Sequence, residues 1–198
     1  MRVMRMVMGL RAPMVALCLL AVGAACTDPD PSSNRADPTS EAAEAPTGGN
    51  DAPELEALLP DQLGGTSLEK ASTAGDHILD EDPWSREMLA FLEGVGKTRQ
   101  HLRFAQVWAP EEEVQLDAGA FRVPGVDGSV LRQALIDSSR PTSPDLTTST
   151  VTVAGKHVTT VLYPDGRPTL YLYVHDDVVF FIGTADETVA SDYLNSLQ

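Results

Sequence analysis

The sequence predicts an α+β domain built on a mainly antiparallel β-sheet, with its helices packed on one face. Segments rich in Val, Thr, Tyr and Phe recur in the second half and are joined by short turn sequences, among them Ala154-Gly155 and Pro164-Asp165-Gly166. Strands joined by such short turns pair in the antiparallel sense. Other segments carry apolar residues at helical spacing, which indicates amphipathic helices that cover the sheet.

Caps, turns and spacing divide the folded part into helices and strands. The helices are predicted over residues 53–59, 83–95, 129–137 and 184–197. The strands are predicted over residues 66–73, 102–108, 114–123, 151–153, 158–163, 169–175 and 178–183. Within the third of these strands the alternation of apolar residues changes phase at Gly119, which predicts a β-bulge at that residue.

Three helix starts carry recognisable signals. Asp51 precedes the first helix as its N-cap, and Asp82 precedes the second, where Pro83 suits the first helical position. Thr184 and Glu187 have the spacing of a capping box, which predicts that the last helix begins there.

A hairpin followed by a helix occurs twice, over residues 102–137 and again over residues 169–197. This order raises the hypothesis of an internal duplication of a β-hairpin–helix unit. The identity between the two segments is slight, so the hypothesis depends on the order of elements alone.

The hairpin over residues 169–183 contains the candidate binding face. Pairing Leu172 with Phe181 produces an aliphatic face suited to the helices, but the opposite face is apolar as well. The candidate residues on that second face are Tyr171, Tyr173, His175, Phe180 and Ile182. Two interpretations stay open: this face is covered by another layer or by self-association, or it forms a groove for an apolar ligand or a protein partner.

The N-terminal segment has the pattern of a secretory signal. Arg2, Arg5 and Arg11 form a basic start, and an apolar run without charge extends from Met14 to Ala25. A transmembrane helix needs roughly 20 apolar residues, so this shorter run is not expected to span a bilayer permanently.

The residues at the end of this run resemble the lipobox of bacterial lipoproteins. Ala24 and Ala25 directly precede Cys26, while Gly23 stands where that family prefers a branched aliphatic residue. The resemblance implies a signal peptide over residues 1–25 and a lipidated Cys26 as the new first residue, anchored in the cell membrane on its extracytoplasmic side. Ordinary cleavage after Ala25, which leaves a free thiol, is the alternative.

Residues 26–52 are predicted to be a disordered tether, and residues 53–198 a single domain. The tether is rich in Pro, Ser, Thr, Asp and Ala and has no large apolar residue, so burial gives it nothing to offset the loss of chain entropy. The following segment has the usual length of one domain.

Charge and cysteine content exclude several classes of protein. The chain has 14 basic and 29 acidic residues, a balance that repels phosphates, so nucleic-acid binding is not expected. Removal of Cys18 with the signal leaves Cys26 alone, and therefore neither an intramolecular disulfide nor a cysteine-based zinc site is expected.

No motif of the folded part predicts catalysis, a metal or a cofactor. The run "EGVGKT" at Glu93 to Thr98 lacks the first glycine of a phosphate loop and follows a helix rather than a strand. An acidic turn could offer carboxylates to calcium, but it does not have the spacing of an EF-hand, and a solvated helix cap is its simpler interpretation. The turn contains Asp76, Asp80, Glu81 and Asp82. The histidines are scattered, and no GxSxG elbow is present.

These observations favour a non-catalytic binding or structural domain, held at a membrane by a lipid, with an unidentified protein or apolar ligand as partner. The alternative is a carrier for a lipid or another apolar molecule, in a cavity between sheet and helices lined by Trp84, Phe91, Trp108 and Phe180. A third alternative is an envelope enzyme without a recognisable motif.

Overall fold

A seven-stranded antiparallel sheet organises the part of the chain that the computed structural model describes, residues 50–110 and 116–197. The strands are β1 Gln62–Leu63, β2 Thr66–Ser67, β3 Glu69–Ala74, β4 Arg103–Trp108, β5 Asp117–Arg122, β6 Thr147–Val153, β7 Lys156–Leu162, β8 Thr169–His175 and β9 Val178–Thr184. The helices are α1 Pro53–Glu56, α2 Pro83–Gly94, α3 Gly128–Ser139 and α4 Glu187–Ser196. The strand order of the sheet is β3-β4-β5-β9-β8-β7-β6, and β1 and β2 form a separate hairpin.

The α+β class and the antiparallel sheet are confirmed. The signal segment, Cys26, the tether up to residue 49 and the acidic run at Glu111–Glu113 lie outside the described residues. The described chain makes its first sheet contact at Asn50, which bridges to Ser72 of β3.

Helices cover both faces of the sheet, not one face as the sequence predicted. Phe180 and Ile182 of β9 belong to a core cluster that also contains buried residues of α1 and α4. Val179 and Phe181, which point the opposite way, belong to a second cluster with α2 and α3. Because the central strands are apolar on both sides, each face needs its own cover.

This two-sided arrangement leaves the proposed duplication unconfirmed. The hairpin of β4 and β5 is followed by α3, and the hairpin of β8 and β9 is followed by α4. The two helices nevertheless pack on opposite faces of the sheet.

The N-caps of the helices agree with the sequence prediction at α2 and differ from it at α1 and α4. Asp82 caps α2, where its carboxylate accepts hydrogen bonds from the amides of Trp84 at 2.8 Å and Ser85 at 3.1 Å. The cap of α4 is Asp186, which accepts from the Thr188 amide at 2.8 Å. The predicted capping box beginning at Thr184 is therefore wrong by two residues.

The first helix is shorter than predicted and is not capped by Asp51. The Asp51 carboxylate instead accepts from the Ala74 amide of β3 at 3.4 Å. Lys70 of β3 donates to the main-chain carbonyls of Glu56 at 3.1 Å and Leu59 at 2.6 Å. These bonds satisfy carbonyls at the end of α1 that a longer helix would have used internally.

The strand predicted over residues 66–73 is divided between two sheets. Thr66–Ser67 pairs with β1 across a turn at Gly64 and Gly65, both of which have positive φ. The main sheet begins only at Glu69.

The predicted bulge at Gly119 is absent, because β5 runs through this residue in continuous register with both of its neighbours. A Cβ atom at Gly119 would lie 2.2 Å from the carbonyl oxygen of Ala105 and 2.9 Å from the Phe181 ring. The Gly119 carbonyl also accepts a hydrogen bond from the buried Tyr193 hydroxyl of α4 at 3.2 Å. The change of phase in the sequence thus reflects a close approach of backbone and ring, not an extra residue.

We expect Gly119→Ala to lower the free energy of unfolding by about 1–3 kcal/mol or more, because the added methyl overpacks the sheet against backbone. Urea denaturation followed by circular dichroism measures this change. Gly94→Ala is the matched control, since no atom lies within 4 Å of its Cβ position, and it should change stability by no more than about 1 kcal/mol. Equal losses of stability in the two variants would contradict the close approach of backbone and ring at Gly119.

Candidate binding surface

The structure separates the five residues of the predicted binding face into a buried group and an accessible group. Phe180, Ile182 and Tyr171 are 1%, 0% and 9% exposed and belong to the core cluster shared with α4. Tyr173 is half-buried, and the His175 side chain is 56% exposed. Only Tyr173 and His175 are therefore accessible to a partner.

A row of basic side chains crosses one end of the sheet on the face of α1 and α4. His175 belongs to this row, and Tyr173 lies next to it. Arg103 of β4 pairs with Arg122 of β5, Arg122 pairs with Val178 of β9, and Val178 pairs with His175 of β8. Lys156 of β7 continues the row two residues beyond the pair of Val158 with Tyr173. We call Arg103, Arg122, His175 and Lys156 the cationic row.

The cationic row breaks a general rule of sheet pairing. Adjacent strands are separated by about 4.8 Å, so the row spans roughly 19 Å over five strands. Like charges directly opposite each other, as in Arg103 and Arg122, destabilise a sheet. Departures from local rules of this kind concentrate at functional sites, which makes the row a candidate binding surface.

Acidic neighbours neutralise only part of the row. Asp177 accepts from Nε of Arg122 at 2.8 Å, and Asp176 lies 3.8 Å from Nε2 of His175, which is charged only when protonated. Among residues 50–110 and 116–197, no carboxylate lies within ion-pair distance of Arg103 or Lys156. These two cations are therefore available to an anionic group.

Aromatic rings position the distal half of the row. The ammonium group of Lys156 lies 5.1 Å from the centroid of the Tyr173 ring, a cation–π contact that holds the charge at the surface. Tyr173 also stacks with His175, with ring centroids 6.3 Å apart. The surface thus combines fixed positive charge with a flat aromatic area.

A second polar cluster lies on the turn between β7 and β8. The Arg167 guanidinium stacks on the Tyr163 ring at 3.8 Å, bonds the Asp165 carboxylate at 2.9 and 3.1 Å, and donates to Ser143. Burial raises the pKa of Tyr163, while a hydrogen bond with Ser139 and the charge of Arg167 act in the opposite direction. Because every member bonds another, the cluster fastens this turn to the loop after α3.

Asp117, at the start of β5, is the carboxylate whose surroundings are least favourable to charge. It points to the face of α2 and α3, where Oδ2 lies 3.5 Å from the Cβ position of Gly183. No ion pair or hydrogen bond to this carboxylate exists among the described residues. Burial consequently raises the pKa of Asp117 above the ordinary value of 3.8.

The four aromatic residues predicted to line a carrier cavity do not surround a common space. Trp84 and Phe91 pack in the cluster of α2 and α3, and Phe180 lies in the cluster on the opposite face. Alternation along β4 places Trp108 on the same side as Phe104, toward α2. The two depressions that stand out on the described surface have volumes of about 140 and 280 Å³ and are open to solvent.

Neither a metal centre nor a membrane span is found in the described part of the chain. It contains no group of three or more His, Cys, Asp or Glu side chains placed to hold a metal ion. No helix within these ranges is both long and apolar enough to cross a bilayer. Asp82, in the acidic turn considered for calcium, is the N-cap of α2.

Fold and surface together define a small α+β domain with an antiparallel sheet between two helical layers and a cationic row at one end of that sheet. Comparison with protein-family models, with curated proteins and with solved structures finds no significant match for this chain.

Sequence reasoning did not find Arg103, Arg122 and Lys156. Arg103 and Arg122 come from the two strands of one hairpin, but only the strand order β5-β9-β8-β7 brings them together with Lys156. The alternation of β5 could have indicated one member of the row, because it places Arg122 on the same face as the buried Ala118 and Ala120.

We expect Asp117→Asn to raise the melting temperature at pH 7, because the amide removes a buried charge without changing the shape of the side chain. The raised pKa of Asp117 means that the folded state binds this proton more tightly than the unfolded state does. The charged carboxylate of Asp117 therefore destabilises the folded state increasingly as the pH rises from the ordinary pKa of 3.8 through the raised pKa in the folded protein.

Differential scanning calorimetry at pH 7 and pH 3 tests this expectation. The increase in melting temperature should disappear at pH 3, where the Asp117 carboxyl group is protonated in the folded and the unfolded state. Asp192→Asn, at an exposed position on α4, is the control and should have little effect at either pH. If Asp117→Asn raises the melting temperature equally at both pH values, the charge of Asp117 is not the cause of the effect.

Proposed function

We propose that this chain is an extracytoplasmic lipoprotein with a non-catalytic binding domain, and that the cationic row is the contact surface for an anionic partner. The anchoring part of the proposal is supported by the basic start, the apolar run and the small residues before Cys26. A single acyl chain binds a membrane only marginally, whereas the several chains of the lipoprotein family provide a stable anchor.

The observation that carries the binding part is the cationic row within a chain of net charge −15. The chain has 29 acidic residues against 14 lysines and arginines, yet four basic residues from four strands meet on one face at one end of the sheet. Guanidinium groups donate paired hydrogen bonds to carboxylates and phosphates, and an ammonium group adds a point charge. The chemistry of the row therefore suits carboxylate or phosphate groups on a partner.

We expect Cys26→Ala to release the protein from the membrane fraction, or to leave an unprocessed precursor, in a bacterium that expresses it. Fractionation followed by immunoblotting distinguishes these forms. Cys18→Ala is the matched control, because Cys18 lies in the segment that the signal peptidase would remove, and this variant should stay with the membrane. Unchanged membrane retention of a fully processed Cys26→Ala protein would argue against lipidation.

We expect the double variant R103Q/K156Q to bind anionic probes at least about tenfold more weakly than wild type, since the two lost contacts, which solvent screens, together contribute about 1.4 kcal/mol or more. Hexaglutamate and a short polyphosphate serve as the carboxylate and phosphate probes in isothermal titration calorimetry. R86Q/R140Q is a control with the same change in net charge away from the row.

Two outcomes of this titration would refute the row as a binding surface. Wild-type protein that binds neither probe is one, and an equal loss of affinity in both double variants is the other. Binding of only one probe by wild type, lost in R103Q/K156Q alone, would support the row and identify the anion that it prefers.

A further inference from the structure

The two edges of the sheet are not equivalent. At the β3 edge, Asn50 forms a parallel bridge with Ser72, and the Asp51 amide donates to the Ser72 carbonyl at 3.5 Å. At the other edge, β6 pairs only with β7 in the part of the chain that the structure describes. The outer main-chain groups of β6 are therefore open to another strand.

The β6 edge has none of the features that usually protect an edge strand. Thr147–Val153 has the sequence TTSTVTV, with no charged residue and no proline. Its seven pairs with β7 are in continuous register, so no bulge twists the edge away. Edge strands normally prevent association with inward charges, prolines or bulges, and their absence here indicates a strand suited to pairing.

The turn after β6 determines which amides point outward. Ala154 and Gly155 both have positive φ and form a two-residue turn that closes on the pair of Val153 with Lys156. The closing pair of such a turn exchanges hydrogen bonds, and bonded and non-bonded pairs then alternate along the ladder. Residues 148, 150 and 152 consequently direct their N–H and C=O groups away from β7.

Charge favours a second copy of this chain as the occupant of the edge. Residues 146–155 carry no charge and are flanked by Asp145 and Lys156. Antiparallel pairing about a two-fold axis at Thr150 places Thr150 opposite itself. It also brings the turn that contains Asp145 of one copy toward the turn that precedes Lys156 of the other copy. Copies of an acidic chain repel each other over most of their surface, whereas this strip offers neutral contact and two complementary charge pairs.

We propose that β6 pairs with β6 of a second copy, so that two sheets join into one continuous antiparallel sheet in a symmetric dimer. The main-chain groups of residues 148, 150 and 152 form the ladder, and attraction between Asp145 and Lys156 of opposite copies favours this register at both ends. The observations that support this dimer concern the β6 edge and depend neither on lipidation nor on a bound ligand, although Lys156 belongs to both surfaces, so failure of either proposal leaves the other open to its own test.

Disulfide trapping tests the register directly. Directly opposed residues in a hydrogen-bonded antiparallel pair have Cα atoms about 5.5 Å apart, which lies within the range for a disulfide. In the full-length chain with Cys18 and Cys26 replaced by serine, we expect Thr150→Cys to give several-fold more disulfide-linked dimer under mild oxidation than Ala90→Cys. Ala90 is exposed on α2 and far from β6 in sequence.

A pair of proline variants separates dimerisation from folding. Thr150→Pro removes an amide that points outward, which an edge strand tolerates, so it should abolish the dimer in analytical ultracentrifugation while circular dichroism and the melting temperature stay near wild type. Ser149→Pro removes an amide that bonds β7 and should lower the melting temperature.

Three results would overturn the proposal. They are a monomeric wild type at high micromolar concentration, a dimer that persists in folded Thr150→Pro, and equal trapping of Thr150→Cys and Ala90→Cys. A dimeric wild type together with a folded, monomeric Thr150→Pro supports it.

Discussion

The two apolar faces of the central strands are the constraint on which the rest of the structure depends. Every residue from Val178 to Ile182 of β9 is buried, so a single helical layer leaves half of these side chains in water. Helices α2 and α3 cover one face, and α1 and α4, the first and last helices of the described part, cover the other. The buried Tyr193 hydroxyl, which donates to the Gly119 carbonyl, joins the last helix to the centre of the sheet.

Local signals in the sequence predict only part of the local structure, since the cap at Asp51, the capping box at Thr184 and the bulge at Gly119 are wrong. The turn at Ala154-Gly155, the cap at Asp82 and the register of β8 with β9, including the pair of Leu172 with Phe181, all occur as predicted. Each depends on residues that are close in sequence. The distribution of helices between the faces was not predictable in this way, because an amphipathic stripe indicates that a helix buries one side but not which face of a sheet receives it.

The difference between local patterns and the packing of distant elements also explains which surface residues the sequence predicts. Alternation correctly grouped Tyr171, Tyr173, His175, Phe180 and Ile182 on one face of the last hairpin. Their exposure, however, is decided by α4, which covers most of that face and leaves its end open. Arg103 and Arg122 join this open end only through the pairings of β4, β5 and β9, and no short-range pattern encodes an arrangement of that kind.

Lys156 connects the two surfaces that we propose. It is the last member of the cationic row, and it follows the turn that ends β6. In a β6-paired dimer the turn that contains Asp145 of one copy lies beside Lys156 of the other copy. An anion bound at Lys156 then competes with Asp145 for the same ammonium group. Ligand binding should therefore weaken the dimer, and by thermodynamic reciprocity dimer formation should weaken ligand binding by the same factor.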